Sequence, residues 1–220
     1  FADDAPLREA VVREGAGWAT ADLDEAGAFW GGEPQRWGQL ANERPPGLRT
    51  HDRYGHRVDH VEDDESWHKL MRAGFERRVH AQPWTDEREG AHVARGAHFI
   101  LCGQADAGFL CPTTMTFAAV PALRATPEIA AEWEPLLTAA AYDPELRPAS
   151  EKGSAVCGMA MTEKQGGSDV RANTTRAIPL NGGGPGAEYE IVGHKWFCSA
   201  PMSDLFLILD QTDEGLSCFA

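Results

Sequence analysis

The chain changes its hydrophobic rhythm once, near Gly153, and that change constrains its fold more than any other feature. Before it, apolar residues recur at helical spacing. Trp67, Leu70, Met71, Gly74, Phe75 and Val79 fall at i, i+3, i+4, i+7, i+8 and i+12, the stripe of a helix with one face in a core. After it come short runs of β type, at 155–162, 173–180, 188–197 and 205–210, separated by turn-forming residues. Helices first and strands afterwards predict an α+β fold, with an N-terminal all-helical domain over 1–153 and a small antiparallel β-domain over 154–220.

Within the helical part, a helix is expected from Pro6 to about Glu14, ended by Gly15 and Gly17, and a short one around Trp37, Leu40 and Ala41. A further helix starts at Asp64. A long one is expected from about Asp86 to Gly108, with Val93, Ala94, Ala97, Ile100 and Leu101 inward. Pro112 suits the first turn of the next. Thr126 and Pro127 read as N-cap and first residue of another, which Pro135 should kink or shorten. Residues 142–153 bridge into the β region.

Residues 47–63 are polar and read as an extended surface loop or docking arm. They hold His51, His56 and His60. Histidines four apart bind zinc when a helix presents both. Gly55 and the lack of apolar periodicity argue against that helix, so no metal site is assigned.

Charge and cysteine usage narrow the function classes. The net charge is −14, from 34 acidic and 20 basic residues, which repels a phosphate backbone and argues against this segment itself holding duplex DNA. No stretch approaches the ~18 apolar residues of a membrane span. Five cysteines at irregular spacing, with no CxxC, fit reduced thiols and a cytoplasmic setting. The chain begins at Phe1 and stops at Ala220, inside an apparent strand, so a fragment of a longer product is expected.

Two stretches carry the chemistry. The first is Met159 to Val170, MAMTEKQGGSDV. Its adjacent glycines, Gly166 and Gly167, let the backbone approach a ligand closely. Successive free N–H groups in such a turn form an anion-binding concavity, to which Ser168 adds a hydroxyl. The combination suits a pyrophosphate, and from these residues alone a plain β-turn is an equal reading. The second stretch is Gly193 to Ser199, GHKWFCS. It is read as continuing the alternation of Tyr189, Ile191 and Gly193 with Glu190, Val192 and His194, with Lys195, Phe197 and Ser199 on the face of Ile191 and Gly193, and Trp196 facing the other way. An aromatic and a hydroxyl at i and i+2 can stack on and hydrogen-bond to a planar heterocycle, although a ring packed into a β core explains the same pattern.

Taken together, about thirty residues apart, Thr162–Asp169 and Gly193–Ala200 resemble the Thr-Glu-Pro-x-Ala-Gly-Ser-Asp and Gly-x-Lys-x-Trp-Ile-Thr-Asn motifs of the acyl-CoA dehydrogenase family. The spellings MTEKQGGSDV, NTTRA and GHKWF, with EAVVREGAGW and AGFLCPTTMTFAA upstream, are similar to its AidB-like, alkylation-response branch. The resemblance covers nearly the whole chain. It implies an FAD site formed by Met159, Met161, Thr162, Gly167, Ser168, Phe197, Cys198 and Ser199: Thr162 and Ser199 at the isoalloxazine, Ser168 at the pyrophosphate, Phe197 at the family's tryptophan position. Lys164 stands where the family has proline, Phe197 where it has tryptophan, and Ser199 where it has threonine.

The resemblance further implies α,β-dehydrogenation of an acyl-CoA thioester, a glutamate base and a helical assembly region lying C-terminal to these residues, and a homotetramer. No catalytic residue is therefore assigned here, Glu163 included, and these residues alone are expected to be inactive. One alternative is an alkylation-response flavoprotein of little dehydrogenase activity that binds DNA through its C-terminal half. Another is a flavoenzyme of the same fold oxidising a nitroalkane or an amine.

Overall fold

A computed structural model describes residues 1–220. Eight α-helices precede the main sheet. Helix α1 (Ala5–Arg13) is capped by Asp4, whose carboxylate accepts from the N–H of Leu7. Helices α2 (Thr20–Trp30) and α3 (Pro34–Glu43) follow. The first of these carries no strong sequence signal, because its buried positions are only Leu23, Ala26 and Trp30. It is fixed instead by packing: the Trp30 indole stacks on Phe109 at 5.5 Å between centroids and donates to His98 at 3.0 Å.

The extended surface loop or docking arm expected over 47–63 is a β-hairpin, β1 (Gly47–His51) paired antiparallel with β2 (Arg57–Glu62). Asp52 closes its turn by accepting from the N–H groups of Tyr54 and His56. Both strands are largely exposed.

Helix α4 (Glu65–Glu76) begins where the helical pattern is expected to start; Asp64 caps it by accepting from the N–H of Ser66, and it buries Leu70, Met71, Gly74 and Phe75. A Cβ on Gly74 would sit 2.9 Å from the Phe109 ring. The long helix expected over 86–108 is divided. A short α5 (Gln82–Thr85) is followed by α6 (Ala91–Gly103), which starts only after Gly90 at φ +75°. Ala94, Ala97 and Leu101 face the core as expected, but Ile100 is 52 % exposed. Helices α7 (Leu110–Leu123) and α8 (Pro127–Leu137) complete the set. Thr126 makes no side-chain cap, and α8 passes Pro135 to end two residues later.

The β region is one five-stranded sheet: β3 (Cys157–Ala160), β4 (Arg176–Pro179), β5 (Tyr189–Val192), β6 (Leu205–Thr212) and β7 (Gly215–Phe219). Its pairing is mixed. β4–β5 and β6–β7 are antiparallel, whereas β3 runs parallel to β6, with Cys157 opposite Leu205. The parallel pair is possible because some forty residues separate the two strands, far more than a hairpin uses.

Helices and sheet share a core. Ala119 and Leu123 of α7, Ala130 and Leu137 of α8, Cys157 of β3 and Leu205 and Leu207 of β6 form one buried cluster. Buried Thr116 on α7 bridges the layers by accepting from the N–H of Cys157 at 3.0 Å. A buried ion pair, Lys152 Nζ to Asp204 at 2.7 Å, fastens the connecting segment to the loop before β6.

Candidate functional site

The first motif leaves β3 at Ala160 and turns sharply. Gly166 donates to the carbonyl of Glu163 at 3.0 Å, and Gly166 takes φ +136°. Thr162 lies against the turn it precedes: a Cβ on Gly167 would fall 2.8 Å from Thr162 Oγ1. Glycine at 167 therefore lets the loop fold back on the threonine, while at Gly166 the space beyond the backbone is open.

The second motif is not a continuation of β5. The strand ends at Val192, and residues 193–199 run as irregular backbone. The expected shared face of Lys195, Phe197 and Ser199 is thereby corrected. Lys195 is turned inward with its side chain 10 % exposed, whereas Phe197 is 79 % exposed and sits at φ +58°. Two forces end the alternation. The N–H of Trp196 is drawn to the carbonyl of Thr162 at 2.8 Å, and the Lys195 ammonium is drawn to carboxylates beneath. Trp196 is itself 42 % exposed and meets Phe197 edge-on at 5.7 Å.

The Thr162–Trp196 bond joins the two motifs side by side. Thr162, Gly167, Ser168, Phe197, Cys198 and Ser199 come from these adjoining segments. Met159 and Met161 do not share the open surface, because both pack partly buried against the helix–sheet core. Ser199 turns its hydroxyl to the Phe197 carbonyl in a long 3.5 Å contact.

Beneath the motifs lies a polar cluster that the sequence reading passed over. Glu163, 2 % exposed, accepts from the N–H and hydroxyl of Thr174 at 2.7 and 2.8 Å and from the N–H and hydroxyl of Thr175 at 2.8 and 2.6 Å. Gln165 and Lys195 add donors at 3.0 and 3.2 Å. Burial by itself would raise the Glu163 pKa, but the hydrogen bonds from Thr175 and Thr174 outweigh it and hold the carboxyl far below the usual range. Asn173 donates to the carbonyls of Met161 and Leu209 at 2.9 and 3.2 Å, tying the end of β3 to β6. The Asn-Thr-Thr run at 173–175 was the available signal: three side-chain donors in a row, just before a strand.

The groups exposed on these two segments are of the kinds that can hold an anionic, aromatic ligand. The N–H groups of Gly167, Ser168 and Asp169, and those of Phe197, Cys198 and Ser199, donate to no protein acceptor. Two exposed aromatic rings lie beside them, and Lys164 supplies positive charge on the same turn. Two clefts, of about 430 and 480 Å3, open elsewhere, one around Trp30 and Leu101 and one between Arg124 and Thr138. Lys164, Gly167, Ser168, Phe197 and Ser199 are all exposed, so these segments present an open face. The hairpin histidines form no cluster with metal-ligating geometry.

Comparison with known proteins agrees with this architecture. Residues 1–144 match the family described as the adaptive response protein AidB N-terminal domain, and residues 158–220 match the acyl-CoA dehydrogenase middle domain. The putative acyl-CoA dehydrogenase AidB of Escherichia coli (strain K12) is 48 % identical over 222 residues, spanning 100 % of this chain and 40 % of that protein. Acyl-CoA dehydrogenase family member 11 of Caenorhabditis elegans is 29 % identical over 209 residues, 94 % of this chain and 33 % of that one. Among solved structures, the apo form of Bd2924 superposes with a TM-score of 0.84 at 27 % identity, over 99 % of this chain and 44 % of the other. Caenorhabditis elegans ACDH-11 in complex with C11-CoA gives 0.80 at 25 %, over 99 % and 37 %. The chain spans less than half the length of each of these relatives.

Proposed function

The chain belongs to the acyl-CoA dehydrogenase family, in its AidB-like branch, and from that premise we propose that it forms the flavin-facing part of an FAD-dependent oxidoreductase acting on acyl-CoA thioesters. The observation that carries this reading is the 2.8 Å bond from the Trp196 N–H to the Thr162 carbonyl. It brings two motifs distant in sequence side by side, and the exposed Trp196 and Phe197 rings lie on the second of them. The complex of ACDH-11 with C11-CoA supports an acyl-CoA as the substrate class.

Bound FAD would supply the hydride acceptor for α,β-dehydrogenation. The chain's own residues hold and polarise it. The amides of Gly167, Ser168 and Asp169, with the Ser168 hydroxyl, suit a pyrophosphate. The Thr162 and Ser199 hydroxyls suit the polar edge of the ring system, where fixed donors stabilise charge that grows during reduction. Phe197 and Cys198 line the approach between them, and Met159 and Met161 back the site from the core side. Glu163 is not the base, because its oxygens are already saturated by protein donors.

The test is the visible absorption of the full-length protein, with the flavin identified after heat release, followed by anaerobic addition of acyl-CoA thioesters. FAD release and bleaching by an acyl-CoA are expected. A protein that takes up no FAD would sink the reading; FAD that no acyl-CoA reduces would leave a flavoprotein of other function. The match of residues 1–144 to the AidB N-terminal domain favours, as that other function, an alkylation-response protein. Any DNA contact is then placed outside these residues, whose net charge is −14.

A further inference from the structure

Lys195 lies in the middle of the second motif yet points away from the open surface. Its Nζ is 3.2 Å from Glu163 Oε1 and 3.1 Å from Asp210 Oδ1, and it donates to the carbonyl of Leu209. Glu163 belongs to the first motif, and Leu209 and Asp210 to β6. One ammonium therefore touches both motifs and the strand beneath them.

The chemistry of the cluster is one-sided. Asp210 is fully buried, and no protein donor meets its oxygens with hydrogen-bond geometry. Glu163 receives six donors, more than the roughly four lone-pair directions a carboxylate offers, so it is fixed as an anion and can move little. Without the ammonium, two carboxylates would face each other in a region closed to water, where like charges interact strongly. The cluster thus depends on Lys195 for its charge balance. The backbone on either side of Lys195 is what the open surface is made of.

We propose that Lys195, clamped by Glu163 and Asp210, is a positioning residue that sets the spacing between Thr162 and the Trp196–Ser199 segment at which the flavin face forms. It touches no cofactor. Its action runs through the Trp196 N–H and the backbone that follows. The inference rests on the flavin reading above, and its test separates the two.

The experiment compares the parent full-length protein with Lys195→Met and with the milder, isosteric Thr175→Val, which removes one hydroxyl donor from Glu163 and leaves every charge in place. Amide hydrogen exchange at Trp196 is measured first, without added FAD, and then the FAD dissociation constant and the visible band of the bound flavin. Exchange at Trp196 is expected to speed up at least tenfold in Lys195→Met and severalfold in Thr175→Val. The FAD dissociation constant should rise in step, and the band shift, while amides of α4 and α6 keep their protection. Exchange within twofold of the parent, with an unshifted band, in a folded Lys195→Met protein overturns the proposal. If that variant does not fold, unchanged exchange and FAD affinity in Thr175→Val overturn it. A parent protein that binds no FAD refutes the flavin reading, and the exchange data then decide the clamp alone.

Discussion

Gly193 passes directly over Thr175: a Cβ at position 193 would fall 2.3 Å from Thr175 Oγ1 and 2.5 Å from its Cγ2. Thr175 is 1 % exposed and bound through both its N–H and its hydroxyl to Glu163, so it cannot step aside. Gly193→Ala is therefore expected to destabilise the β region by about 1–3 kcal/mol, the usual cost of overpacking a tight site. Urea unfolding checks this, and Gly193→Ala combined with Thr175→Ser should recover part of the loss by removing the Cγ2 contact.

Phe197 holds a positive φ of 58° while remaining 79 % exposed. A bulky residue in the left-handed region costs roughly 1–2 kcal/mol, and asparagine tolerates that region better. Phe197→Asn should leave stability unchanged or raise it by up to about 1 kcal/mol, since little packing is lost. If Phe197 faces the flavin as proposed, the same change should also weaken FAD binding about tenfold by removing a ring that can stack on it. Thermal unfolding and fluorescence titration with FAD read the two effects separately.

Two histidines, His80 fully buried and His98 half-buried beside Trp30, make stability fall on mild acidification. Burial lowers the pKa of His80 to about 3 and of His98 to about 4, from 6.5. Each is neutral in the folded chain, so the unfolded chain binds more protons below pH 6.5, and stability drops as pH falls from 6.5 toward 3–4. At pH 5 each contributes a loss of about 2 kcal/mol, from 1.36 kcal/mol per unit. His80→Phe, which keeps a ring against Phe75, should remove about half of that slope in urea midpoints measured from pH 7 to 5.

Glu163 acts in a lower window. Its pKa lies well below its ordinary 4.5, so its contribution is complete above pH 4.5 and is lost as pH falls through the depressed folded value. Glu163→Gln should be less stable than the parent at pH 7 and should lose less on further acidification below 4.5. A parallel pair of pH profiles would show that the carboxylate is not what the donors hold.

Lys152 and Asp204 form an ion pair in which the side chains are 3 % and 7 % exposed. Removing one partner strands the other, at about 3–5 kcal/mol. Lys152→Met should lower the melting temperature sharply, and adding Asp204→Asn should restore part of it, because the Asn oxygen can still accept from the Val156 N–H.

Sequence alone determined the order of helices then strands, the start of α4 near Asp64, the inward stripe from Leu70 to Phe75 and the resemblance of both motifs to the acyl-CoA dehydrogenase family. These are local facts: a period, a capping side chain or a spelling survives reading one residue at a time. The fold of the hairpin at 47–62, the break between α5 and α6 at Gly90, and α2 were not legible, because turn geometry and long-range contacts with Phe109 and His98 override weak local patterns. The alternation through Gly193–Ser199 failed for the same reason. Nothing within that stretch records that a carboxylate on β6 and another in the first motif pull Lys195 inward and turn Phe197 out. Tertiary structure decided which face each residue of the second motif presents, since buried charges must find partners wherever the fold places them.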